Sequence, residues 1–223
     1  MDPSLNRRIA TWITPWLART GATPNQITLL ALFAGLIAGW DFLQGDAAHG
    51  LRGALWFQAA YILDNCDGNL ARMTRRSSGF GSWLDTVADM LIHMFFFLGL
   101  GTAAWRRDPQ GPWLWLGVLT CAGVFLCYLT SLLREVQRRG DAAWAHPDPP
   151  KGTEDGDLWS RARILMRADF SFVVLGSALV GHMVWLLWSG FAGAFIYCVS
   201  DLVGMAARSA ASRTDGGAGS LGG

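Results

Sequence analysis

Apolar residues in this chain run in blocks longer than a strand or an ordinary surface helix needs, and polar residues collect between the blocks. The first block, Gln26 to about Leu43, is opened by Thr23 and Pro24 and approaches the roughly 20 residues required to cross a bilayer as a helix. A second begins near Gly50, continues as LRGALWFQAAYIL to Asp64, and extends in helix-forming residues to about Thr74. The third runs from about Ser82 through DMLIHMFFFLGLGTAAW to Trp105, and the fourth from Pro112 to Leu133. The apolar region from Ala168 to Ala207 is long enough for two crossings, with the small residues Ser189, Gly190, Ala192 and Gly193 as the expected reversal. The pattern predicts an all-α integral membrane protein with six transmembrane helices.

Ahead of the first block, Arg7, Arg8 and Arg19 alternate with Leu5, Ile9, Trp12, Ile13, Trp16 and Leu17. That spacing predicts an N-terminal amphipathic surface helix, kinked or divided by Pro15, and it lacks the continuous apolar centre of a signal peptide. The longest polar connection, roughly Glu135 to Arg167, is rich in Pro, Gly and acidic residues and reads as a lid or a linker. The segment TDGGAGSLGG has no apolar periodicity and is expected to be disordered. The expected organisation is therefore a juxtamembrane helix over 1–22, a six-helix membrane domain over 23–207 and a tail over 208–223.

Composition agrees with lipid as the solvent. Apolar residues make up 52% of the chain and charged residues only 16%, against roughly a quarter in a soluble domain. Mean hydropathy is +0.27, and the 12 tryptophans suit membrane interfaces. The net charge of +1 gives no basic surface for nucleic acid. Arginines and lysines concentrate at the N-terminus, in the second-to-third connection with Arg72, Arg75 and Arg76, in the fourth-to-fifth connection and at the C-terminus. The positive-inside rule then puts both termini in the cytoplasm, with Arg52, Arg106 and Arg107 as cations on the far side. The four cysteines, Cys66, Cys121, Cys127 and Cys198, lack ligand or disulfide spacing and read as small apolar core residues.

One stretch carries chemistry: DNCDGNLARMTRRSSGFGSWLDTVAD. Asp64 and Asp67 are three residues apart and Asp85 and Asp89 four, so each pair projects from one face of its helix and the two pairs can converge. Clustered carboxylates beside apolar helices repel one another unless a cation neutralises them. Carboxylate oxygens are hard ligands, which favours Mg²⁺, Mn²⁺ or Ca²⁺ over Zn²⁺. Gly68 and Gly81 leave room for a ligand or a neighbouring helix, and Arg72 offers a planar donor fork for phosphate. A two-metal, phosphate-binding pocket supporting in-line displacement is the expected site. Helix capping explains Asp64 or Asp85 singly but not the whole spacing.

The order D-x-x-D-G-x-x-A-R, eight residues, then G-x-x-x-D-x-x-x-D resembles the signature of the CDP-alcohol phosphotransferases, and every fixed position is filled. Pro24, Asn25, Ile27 and Thr28 are similar to a segment that opens the first membrane helix in that family. The resemblance implies metal ligation by Asp64, Asp67 and Asp85, with Asp89 as the base that deprotonates the acceptor hydroxyl and as a further metal contact. It implies that Gly68, Arg72 and Gly81 hold the CDP part and that the enzyme is a homodimer; two Mg²⁺ or Mn²⁺ ions are the expected cofactor of the carboxylates, and the arginine distribution puts the site on the cytoplasmic side of the inner membrane.

The expected reaction moves a substituted phosphate from a CDP-alcohol, of the CDP-diacylglycerol or CDP-inositol type, to an acceptor such as inositol phosphate or glycerol phosphate, releasing CMP. Arg134, Arg161, Arg163 and Arg167 are candidates as a group for an acceptor phosphate. His93, one turn past Asp89, is either a substrate contact or an interhelical hydrogen-bond partner. Two rival readings remain at the level of sequence: a divalent-cation transporter with acidic residues along its path, and a catalytically silent membrane partner.

Overall fold

The computed structural model describes residues 5–141, 170–197 and 199. The tail over 208–223, most of the polar connection, Arg161, Arg163, Arg167 and the side chain of Arg134 lie outside the described residues. Among the described residues the fold is entirely helical. The helices are α1 (Leu5–Arg19), α2 (Pro24–Gln44), α3 (Ala47–Thr74), α4 (Gly79–Arg107), α5 (Trp113–Asp141), α6 (Phe170–Val180) and α7 (Trp185–Tyr197). Among the described residues, three stretches are long and apolar enough to span a bilayer: Pro24–Gln44, Gly79–Arg107 and Trp113–Thr130. Helix α3 has the length, about 42 Å at 1.5 Å per residue, but carries Arg52, Asp64, Asp67 and Arg72 within it.

The helix ends follow local chemistry. Thr23 and Gln26 form a reciprocal capping box ahead of Pro24, and Gly45 closes α2 in the left-handed conformation. Asp46 caps α3, and the backbone N–H of His49 holds its carboxyl below the usual range. At the other end of α3, Arg75 adopts a left-handed φ of 53°, the only positive φ outside glycine among the described residues. Ser78 then caps α4 by accepting from the Gly81 N–H at 3.0 Å. Only Arg75 to Ser78 separate the two helices; both pack closely on α2, and the meetings of Phe57 with Phe96 and of Tyr61 with His93 show α3 and α4 running in opposite directions.

Packing along the bundle uses small residues where backbones meet. A Cβ on Gly99 would stand 2.8 Å from the Gly39 carbonyl oxygen, and one on Gly101 would stand 2.9 Å from Gly117 Cα. These contacts bring α4 against α2 and α5, as small residues do between membrane helices. The rings of Phe42, Phe57 and Phe96 interlock at the centre, with centroids 5.0 Å apart for Phe42 and Phe96 and 4.8 Å for Phe57 and Phe96. Helix α1 packs on α3 through Ala10, Cys66 and Leu70, while Trp12 and Trp16 are exposed. Pro15 sits within α1 without dividing it.

One sequence expectation is overturned. The reversal in the last apolar region falls at Gly181, with a φ of +77°, and not at Ser189 to Gly193. Those small residues lie inside α7, where Phe97 fills the space a Gly190 side chain would occupy. Gly190 serves close helix contact, a use that small residues share with turns in sequence. Helix α5 also continues to Asp141, beyond the expected end near Leu133.

Candidate active site

Asp64 and Asp67 lie within α3 and Asp85 and Asp89 within α4, all well inside the helices, so none of them is a cap. The caps beside them are Arg75 and Ser78. Because the two helices are antiparallel, the last turns of α3 face the first turns of α4. Asp64, Asp67 and Asp85 each place a carboxylate oxygen within 4.8 Å of the others. Asp64 and Asp85 approach to hydrogen-bonding distance, and Asp89 acts electrostatically on Asp64 from outside this triad. Carboxylates this close repel unless a cation sits among them, and an all-oxygen donor set suits a hard divalent ion. The residues present therefore fit Mg²⁺ or Mn²⁺.

Asp67 is the buried member, 6% exposed, and its Oδ2 accepts a 2.5 Å hydrogen bond from Thr28 Oγ1 in the first turns of α2. The same α2 terminus supplies Asn25, whose Oδ1 would lie 3.0 Å from a Cβ on Gly81. Gly81 thus allows α2 and α4 to close around the carboxylates. On α3, the Arg72 guanidinium folds back over Gly68, with Nη1 3.4 Å from the place of a Gly68 Cβ, and Nη2 donates to Asn69 Oδ1 at 2.6 Å. Arg72 is exposed, so its remaining donors face outward beside the triad.

Around Asp89 lies a set of polar side chains of which the sequence singled out only His93. Tyr128 Oη on α5 is 3.5 Å from Asp89 Oδ2 and 3.3 Å from His93 Nδ1. His93 Nδ1 is 2.7 Å from the Asp89 carbonyl oxygen, and its Nε2 is 3.0 Å from Tyr61 Oη on α3. His93 therefore makes interhelical hydrogen bonds, one of its two expected fates. Thr28 was visible only as part of a helix-opening segment, and Tyr61 and Tyr128 only as tyrosines in apolar blocks; no local spacing ties them to the aspartates. Cys66 and Cys121 are buried, as expected for core residues.

A family model described as CDP-alcohol phosphatidyltransferase matches residues 21–152. The bifunctional IPC transferase and DIPP synthase of Aquifex aeolicus is 30% identical over 128 residues, which are 57% of this chain and 28% of that one. The chain thus spans less than a third of that relative's length. The phosphatidylinositol phosphate synthase of Mycobacteroides abscessus is 25% identical over 203 residues, 91% of this chain and 82% of that one. In solved structures, the fold is similar to that of the Mycobacterium tuberculosis phosphatidylinositol phosphate synthase with CDP-DAG bound. That match has a TM-score of 0.57 and 24% identity over 87% of this chain and 92% of that one. The same enzyme with manganese and citrate gives 0.52 at 21% identity over 86% and 87%.

Proposed function

Since the chain belongs to the CDP-alcohol phosphatidyltransferase family, we propose that it transfers the phosphatidyl group of CDP-diacylglycerol to the hydroxyl of inositol phosphate, releasing CMP. The observation that carries the reading is the convergence of Asp64, Asp67 and Asp85 within 4.8 Å at the facing ends of α3 and α4. The relatives named as phosphatidylinositol phosphate synthases support the choice of substrates. CDP-inositol, the other donor expected from the sequence, is the second candidate at the same site.

In this reading Asp64, Asp67 and Asp85 hold Mg²⁺ or Mn²⁺, as one ion or two. The bound cation supplies positive charge that neutralises the diphosphate and the leaving CMP. Gly68 lets the diphosphate approach the α3 backbone, and Arg72 donates to phosphate oxygens beside it. Asp89 takes the proton of the acceptor hydroxyl as its oxygen bonds to the phosphorus of the substituted phosphate. The bond from that phosphorus to the oxygen of CMP breaks in line. Gly81 keeps α2 and α4 close enough for this geometry.

The same reading takes α1 as a helix on the cytoplasmic membrane surface, with the exposed Trp12 and Trp16 in the interface. It takes α2 to α7 as six crossings of one catalytic domain over 23–207, with site and termini facing the cytoplasm and two copies forming a homodimer. The carboxylate triad gathers at one end of α3 and α4, and the buried Asp41 at the other end is already paired with Arg52, which speaks against a cation path across the bundle. The test is CMP release by the purified chain in detergent with Mn²⁺, CDP-diacylglycerol and inositol phosphate. Turnover abolished in Asp67→Ala and in Asp89→Asn is the expected result. Near wild-type turnover in Asp89→Asn, with metal and nucleotide binding unchanged, would show that Asp89 is not the base.

A further inference from the structure

Three side chains around Asp89 are arranged with a direction. His93 Nδ1 faces the Asp89 carbonyl oxygen at 2.7 Å, and a carbonyl only accepts, so Nδ1 carries the proton. Nε2 of the neutral ring is then an acceptor, and the Tyr61 hydroxyl, 3.0 Å away, donates to it. Tyr128 Oη receives a share of the Nδ1 proton at 3.3 Å and directs its own proton at Asp89 Oδ2, 3.5 Å away. Each donor thus points one step closer to the Asp89 carboxylate. The His93 ring is held in place by Phe57, Tyr61 and Tyr128, with centroids 6.1, 6.0 and 6.0 Å away.

We propose that Tyr61, His93 and Tyr128 form a one-way hydrogen-bond chain across α3, α4 and α5 that positions the Asp89 carboxylate for proton abstraction. The inference rests on Asp89 as the base of the transfer. Tyr128 is the positioning residue in contact with Asp89; His93 and Tyr61 act through it. Asp89 stands one helical turn from Asp85, where it has two competing uses: a further ligand to the cation, or a base for the acceptor. A phenol donating to Oδ2 restricts the rotation of the carboxylate and occupies one of its oxygens. The contact of 3.5 Å is long for a hydrogen bond, and such contacts tighten in many active sites when substrate arrives. A mere tie between helices would instead contribute to folding and to binding alike, with no selective effect on the chemical step.

The full chain in detergent, with Mn²⁺, CDP-diacylglycerol and inositol phosphate, gives the test. Tyr128→Phe is expected to lower kcat by about tenfold or more while the donor KM and the Mn²⁺ affinity, read by electron paramagnetic resonance, stay within about twofold. His93→Leu should lose a similar factor. His93→Asn, whose amide nitrogen stands near the position of Nδ1, should recover most of that loss. Independently of turnover, ¹⁵N spectra of ring-labelled histidine should show one ring protonated at Nδ1 and bare at Nε2, a signal that disappears in His93→Asn. An unchanged kcat in Tyr128→Phe, an Asn variant no better than Leu, or a His93 protonated at Nε2 overturns the proposal. Should Tyr128→Phe not fold, the spectrum of the wild-type chain still decides. If Asp89→Asn is inactive while Tyr128→Phe turns over normally, only the positioning chain is wrong; if Asp89→Asn turns over, the base assignment falls as well.

Discussion

At the scale of single residues, the site depends on how carboxylates are held as much as on how many there are. Asp67 is buried, and its orientation is set by one hydroxyl, that of Thr28, in a different helix. Partners that orient a metal ligand are typically worth about 10- to 100-fold in metal affinity. Thr28→Val should therefore weaken Mn²⁺ binding by about that factor, and Thr28→Ser should retain most of it, as measured by titration with electron paramagnetic resonance detection. Equal affinities in the wild type and Thr28→Val would mean that the metal does not use Asp67 in the orientation seen. The aspartates themselves were legible in sequence because spacing of three and four residues has a fixed meaning on a helix. Thr28 was not, since its contact spans 39 positions and its hydroxyl has an alternative local use, bonding the Pro24 carbonyl oxygen at 3.2 Å.

At the scale of helices, the bundle is built on close backbone contact, and the positions of the proposed catalytic groups inherit that closeness. Helix α5 presents Tyr128 to Asp89 only while Gly101 and Gly117 let α4 and α5 touch. A methyl group at Gly101 meets backbone, which cannot swing aside as a side chain does. Gly101→Ala should cost about 1 to 3 kcal/mol, read as a lower thermal midpoint in detergent, whereas Gly193→Ala, with open space around it, should leave the midpoint unchanged or slightly raised. A midpoint equally insensitive at both positions would contradict the packing described for α4 and α5. Arginines at the opposite end of the bundle are also explained at this scale. Arg52 pairs with the buried Asp41 at 2.8 and 2.5 Å, Arg106 bonds the Leu43 carbonyl oxygen at 3.0 Å, and Arg107 bonds that of Gly45. Two of the three therefore satisfy the carbonyl end of α2, where positive charge is favoured.

For the whole molecule, the proposed orientation in the membrane rests on the gathering of arginines at the N-terminus and in the connection with Arg72, Arg75 and Arg76. Ser77, between α3 and α4, should lie on the cytoplasmic side, and Gln110, between α4 and α5, on the other. In a background with every native cysteine replaced by alanine, a membrane-impermeant maleimide added to intact cells should label Gln110→Cys and not Ser77→Cys. The reverse pattern would turn the proposed topology upside down and place the carboxylate triad outside.

The sequence by itself determined the helical class, the lipid solvent, the family resemblance and the two acidic helices, because each rests on a periodic or fixed local spacing. Its helix limits were right to within a few residues where Thr23, Asp46 and Ser78 give capping chemistry, and wrong where small residues serve either a turn or a contact. Tertiary structure alone decided that Asp67 is held by Thr28, that Asn25 closes on Gly81, and that Tyr128 meets both Asp89 and His93 while Tyr61 meets His93. These pairs come from different helices, and their meeting depends on the rotation and spacing of whole elements. That rotation is a sum over many weak packing contacts, and no short run of residues encodes it.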